Sequence, residues 1–107
     1  VEVCHSKISH QSIAIETHNA DVIITAIGKP GYFDDLSCLS EYGSQYVIDA
    51  GVSFYNGKMY GDWDINVFKN NNVNITPVPH GVGAVTTTML ASNLLKAYNR
   101  RKELENI

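Results

Sequence analysis

The 107 residues predict an α/β domain, a parallel sheet carrying helices on both faces. Three observations predict it. Strand-like and helix-like stretches alternate: strand, helix, strand, helix, strand, hairpin, helix, strand, helix. The runs Asp21-Val22-Ile23-Ile24-Thr25-Ala26-Ile27 and Gln45-Tyr46-Val47-Ile48-Asp49-Ala50-Gly51 are rich in β-branched residues and apolar at successive positions, as strands covered on two sides are. Strong breakers follow these runs: Gly28-Lys29-Pro30-Gly31 after the first and Gly51 after the second.

Taken in order, Val1 to His5 reads as a short buried strand and Ser6-Lys7 as the turn after it. Gln11 to Asn19 is a short helix, with Ser9 or Ser12 available as its N-cap. Asp21 to Ile27 is a central parallel strand, and Asp34 to Tyr42 a short helix with an aspartate near its start. After the strand 45–51, the stretch Val52 to Gly61 is a hairpin, because Asn56-Gly57 between strand-like ends supplies the positive φ angles of a tight turn. Asp62 and Asp64 flank Trp63 and read as caps for a short helix over about 65–69, without the third oxygen that a metal site needs. Asn70-Asn71-Asn72 is a turn and Val73 to Thr76 a last short strand. The final helix, about 83–103, places Thr87, Leu90, Ala91, Leu94, Leu95, Ala97 and Tyr98 on one side.

Composition narrows the function classes. Apolar residues make up 44% of the chain and the formal net charge is −3, which argues for a globular domain without nucleic-acid partners. The longest apolar runs are strand-sized, so no membrane span is expected, and the first residues lack the pattern of a signal peptide. Cys4 and Cys38 have no metal or Cys-x-x-Cys spacing and read as reduced thiols of a cytoplasmic protein. His5, His10 and His18 are scattered, so no metal site is expected. Arg100-Arg101-Lys102 complements the dipole at the end of the last helix.

Ligands of open α/β sheets bind beyond the carboxyl ends of the strands. That rule selects Ser6-Lys7, Gly28 to Gly31, Gly51 to Ser53 and Pro77 to Thr86. In the last of these, two prolines keep the chain extended, and Gly81 and Gly83 remove Cβ atoms where it must turn or admit a ligand. A helix N-terminus follows, where free N–H groups favour an anion. The spacing alone is equally that of a plain loop leading into a helix.

The order of residues is more specific. Thr76-Pro77-Val78-Pro79-His80-Gly81-Val82-Gly83-Ala84-Val85-Thr86 resembles the Pro-Val-Pro-Gly-Gly-Val-Gly-Pro-Met-Thr signature of the methylenetetrahydrofolate dehydrogenase/cyclohydrolase family. His80 stands at a glycine of that signature, and Ala84-Val85 at its Pro-Met. Four further stretches resemble the family in the same order: Val3-Cys4-His5-Ser6-Lys7, Ala26 to Gly31, Val47 to Val52, and Asn56-Gly57-Lys58 with Gly61-Asp62. The resemblance implies a partial Rossmann-like, NAD(P)-binding domain over residues 1–107. The Gly-Arg-Ser phosphate loop and the Tyr-x-x-x-Lys motif of the family do not occur in it, so it is expected to lack the first βα unit and the amino-terminal catalytic domain.

The resemblance further implies that Ser6, Lys7, Gly28, Gly51, Val52 and Thr86 bind the cofactor, and that Pro79, His80, Gly81 and Gly83 line the folate side. No catalytic residue is expected in this chain. The parent activity is oxidation of 5,10-methylenetetrahydrofolate to the methenyl form, then hydrolysis to 10-formyltetrahydrofolate, in a cytoplasmic homodimer. The chain alone is expected to be inactive. A physical argument selects NADP over NAD: the strand ending in His5-Ser6-Lys7 carries no acid to hold a ribose 2′-hydroxyl. The alternatives are a non-catalytic nucleotide-binding or interaction module, or an inactive truncated fragment.

Overall fold

The computed structural model describes residues 1–68 and 73–106. Three parallel strands, β1 (Val22–Thr25), β2 (Tyr46–Asp49) and β5 (Asn74–Ile75), form a sheet in the order β1-β2-β5. Val22 to Thr25 pair in register with Tyr46 to Asp49, and Tyr46 and Val47 with Asn74 and Ile75. Because all three strands run the same way, their carboxyl ends open onto one rim. The hairpin is as expected: β3 (Ser53–Tyr55) pairs antiparallel with β4 (Lys58–Tyr60). Asn56 and Gly57 take φ angles of 50° and 75°, the mirror-image turn that suits twisted strands.

The first helix, α1 (His10–Asn19), is capped by Ser9, whose hydroxyl accepts from the N–H of Ser12 at 3.2 Å. Its other end is closed from a distance. The buried Gln45 amide donates to the carbonyls of Thr17, His18 and Ala20 at 2.8, 3.2 and 2.6 Å. The Thr17 carbonyl also accepts from the Ala20 N–H at 3.4 Å, and the Gln45 side chain, just before β2, adds donors of the kind a helix end runs short of. Ile13 packs from α1 into a core with Ile23, Phe33, Cys38, Leu39, Val47, Trp63 and Phe68. Trp63 is its centre, stacked on Phe33 at 4.2 Å and edge-on to Phe68 at 5.1 Å.

Three expectations are corrected. Val1 to His5 is not a buried strand; it is exposed and has no strand pairing, since an isolated extended segment gains no ladder of its own. The stretch 21–27 is not central. β2 pairs on both sides and takes the middle, while β1 is an edge strand whose Val22 and Ile24 are 54% and 70% exposed. The helix expected over 34–42 is only a 3-10 turn at Leu36–Cys38, where the Asp35 side chain caps the Ser37 N–H and Leu39 returns to extended backbone. The third helical segment, α2 (Ile65–Phe68), is four residues long, and the Asn70–Asn72 turn lies outside the described residues. The last helix, α3 (Val82–Glu105), buries none of its residues; its apolar side, with Leu90, Leu94 and Tyr98, is exposed. Among the described residues, no helix is long and apolar enough to cross a membrane.

Cys38 and Cys4 are both free, the first buried and the second exposed. Burial pushes the Cys38 thiol up to about 11, and the nearby Asp35 and Asp34 carboxylates push the same way. Its S–H donates to the Asp35 carbonyl at 2.8 Å. At pH 8, only about one Cys38 in a thousand is therefore thiolate, the reactive form. Iodoacetamide at pH 8 is expected to add one carbamidomethyl group to the native protein, at Cys4, and two after denaturation. Equal labelling of both thiols in the native protein would contradict the burial of Cys38. A folded value above the unfolded one means that this thiol contributes stability up to the unfolded value and loses it as pH rises towards 11.

Candidate functional site: the carboxyl rim of the sheet

The rim is built from the segments that follow β1, β2, β4 and β5. Two buried aspartates tie three of them together. Asp62, fully buried, accepts from the N–H groups of Ile27 at 2.8 Å, Gly28 at 2.9 Å and Lys29 at 3.3 Å. Asp49, 2% exposed at the end of β2, accepts from the N–H groups of Gly51 at 3.0 Å and of Asp62 and Trp63, both at 3.2 Å. Backbone bonds add to this: Gly31 N–H donates to the Gly61 carbonyl at 3.1 Å, and Phe33 N–H to that of Asp62 at 2.9 Å. The fourth segment joins through Thr76, whose hydroxyl accepts from the Asp49 N–H at 2.9 Å.

The packing is reciprocal. A Cβ on Gly51 would run into the Asp62 carboxylate, and one on Gly61 into that of Asp49. Each aspartate thus lies against the glycine next to the other, and only glycine leaves room. Burial raises the Asp49 carboxyl above the usual carboxylate range and the Asp62 charge adds to this, while the N–H groups of Asp62 and Trp63 oppose it. A value raised in the folded state means that Asp49 stabilises the fold below about pH 3.9 and loses that contribution as pH rises through the folded value.

The positions expected to bind ligand are distributed as follows. Gly28 has φ +78°, and a Cβ there would meet nothing, so the loop is open on that side. Gly51 is buried and committed to Asp62, whereas Val52 beside it is 48% exposed. Ser6 and Lys7 are exposed in a turn, and Ser6 lines a cavity of about 1050 Å³ together with Ile27 and Lys29. Pro79 and His80 are exposed; Pro79 follows a cis peptide bond and His80 has φ +75°. That angle accounts for the glycine at this place in the family signature, and histidine holds it at a cost of about 1 kcal/mol or more. Gly81 is closed to side chains by the Pro77 carbonyl. Gly83 stands open in the first turn of α3, and the Thr86 hydroxyl is engaged, donating to the Val82 carbonyl at 2.9 Å.

Sequence reading missed the roles of Asp49 and Asp62. Asp62 is not a helix cap; that part falls to Asp64 alone, which accepts from the Asn66 N–H at 2.9 Å. One available signal was the charge of Asp49 inside an otherwise apolar strand, since a buried carboxylate needs partners.

The family model for the tetrahydrofolate dehydrogenase/cyclohydrolase NAD(P)-binding domain matches residues 1–102. The chain belongs to that family. Among its relatives, the bifunctional protein FolD of Dictyoglomus turgidum is 41% identical over 100 residues, covering 94% of this chain and 34% of the relative. FolD of Clostridium novyi is 44% identical over 95 residues, 88% of this chain and 32% of the relative. Among solved structures, the bifunctional 5,10-methylenetetrahydrofolate dehydrogenase/cyclohydrolase of Thermoplasma acidophilum superposes with a TM-score of 0.83 at 32% identity, over 95% of this chain and 35% of that one. The 5,10-methylenetetrahydrofolate dehydrogenase of the silkworm Bombyx mori gives 0.79 at 28% identity, over 95% and 33%. The chain thus spans about a third of the length of its family relatives. The match covers β1, β2, β5 and all the rim segments, so the observed mixed α/β fold with its parallel sheet is that of the family.

Proposed function

We propose that this chain is the dinucleotide-binding part of a bifunctional folate enzyme and binds NADP in preference to NAD. The whole protein would oxidise 5,10-methylenetetrahydrofolate and hydrolyse the methenyl product to 10-formyltetrahydrofolate, as a cytoplasmic homodimer. The observation that carries this reading is the convergence of the segments after three parallel strands on one rim, in a chain of this family. The rim fits an extended nucleotide: the Gly28 loop is free of side-chain crowding, Val52 is exposed, and Ser6 and Lys7 offer a hydroxyl and an ammonium.

Bound dinucleotide supplies the hydride acceptor. The residues of this chain bind and orient. Ser6 and Lys7 hold the adenosine ribose and its 2′-phosphate, Gly28, Gly51 and Val52 present backbone to the nicotinamide side, and Thr86 contacts the cofactor from α3. Pro79, His80, Gly81 and Gly83 line the pterin side. No residue of this chain is assigned an acid–base step, so binding without turnover is the expectation for these 107 residues alone.

Calorimetric titration of NADP+ and NAD+ tests the reading. The expected result is saturable binding with NADP+ tighter. Ser6→Asp, which sets a negative charge against the 2′-phosphate, is expected to weaken NADP+ about tenfold or more, near 1.4 kcal/mol, and to leave NAD+ almost unchanged. Absence of dinucleotide binding, or equal loss for both cofactors, would contradict the assignment.

A further inference from the structure

We propose that Asp62 and Asp49 are positioning residues of the dinucleotide rim, an interlocked pair of carboxylates that sets the backbone of three loops against the cofactor. The inference rests on the reading of the rim as a dinucleotide site. Both side chains are buried, and among the described residues neither has a cationic partner. Their compensation comes from backbone amides alone, three on each carboxylate. Those amides belong to the loops after β1, β2 and β4. Three consecutive N–H groups turned inward to Asp62 fix the peptide planes from Ile27 to Lys29, which in turn fixes where the open side of Gly28 faces. Asp49 holds the start of the next loop through Gly51 and holds Asp62 itself through its N–H.

The pair is mutually dependent. Asp49 positions the backbone of Asp62, and the Asp62 carboxylate occupies the space left by Gly51. A disturbance at one loop is therefore passed to the other two. An ordinary core residue would affect how much protein is folded; this pair also affects how well the folded protein binds.

The test combines NADP+ titration with amide hydrogen exchange on the full chain, at a temperature where circular dichroism shows every variant folded. Asp62→Asn keeps size but puts an NH2 against backbone donors. It is expected to weaken NADP+ at least tenfold and to speed exchange at Ile27, Gly28 and Lys29 at least tenfold. Asp49→Asn is expected to do the same to affinity, with faster exchange at Gly51, Asp62 and Trp63. Asp64→Asn, which alters only the cap of α2, is expected to leave affinity unchanged. A folded Asp62→Asn protein with wild-type affinity would overturn the proposal. So would wild-type protein whose amides 27–29 exchange as fast as an unstructured loop, a measurement that needs no variant. Wild-type protein that binds no dinucleotide would overturn the functional reading as well, and that result is seen before any variant is made.

Discussion

Trp63→Ala is expected to lower the stability of the fold by about 3–5 kcal/mol, the largest effect of any single truncation in this chain. Three losses coincide at this position. The indole is 4% exposed, so its apolar area is returned to a cavity rather than to water. The stack on Phe33 and the edge contact with Phe68 both disappear. The indole N–H donates to the Thr25 hydroxyl at 3.1 Å, so a buried oxygen at the end of β1 loses its donor. With a typical total of about 5–15 kcal/mol, a domain of this size is left close to unfolding. Urea denaturation followed by far-ultraviolet circular dichroism measures it, with Tyr42→Ala as the control. Tyr42 is 92% exposed, and its loss is expected to change stability by no more than about 0.5 kcal/mol. If Trp63→Ala unfolds at the same urea concentration as the control, the core described around it is wrong.

Gly51→Ala is expected to cost about 2–4 kcal/mol, a large effect for one methyl group. The new Cβ points at the Asp62 carboxylate, which cannot swing aside without releasing the amides of Ile27, Gly28 and Lys29. Either those hydrogen bonds break or the end of β2 moves. Gly83→Ala is the instructive contrast. A Cβ there meets nothing within 4 Å, and the residue lies in α3, where alanine is the better helix former by about 0.5–1 kcal/mol. The second variant is expected to gain stability while the first loses it, and thermal melts of the two side by side decide this. A stable Gly51→Ala protein would mean that the Asp62 carboxylate is not held where the hydrogen bonds put it.

Much of the fold was legible because its signals are local. Asn56-Gly57 determines a tight turn through its own φ preferences, and Ser9 caps α1 through a bond three residues long. The three parallel strands of the sheet, within one or two residues of their ends, follow from β-branched runs and the breakers around them. The reading failed where local and tertiary signals conflict. Val1 to His5 is strand-like in composition yet pairs with no strand among the described residues, and Asp21 to Ile27 is apolar enough for the middle of a sheet yet lies at the edge of the sheet they form. Asp62 precedes a helical turn and looks like a cap, but burial gives it a different task. Its partners are 33, 34 and 35 residues away, beyond any pattern that spacing along the chain can show.

The sequence by itself determined the family, through five motifs in order, and with it the expectation of a dinucleotide rim at the strand ends. Tertiary structure alone decided how that rim is held: which strand is central, why Gly51 must be glycine, and where six loop amides find their acceptors. The physical reason is burial. A carboxylate removed from water must be met by donors, and which donors reach it is settled only when distant segments close around it.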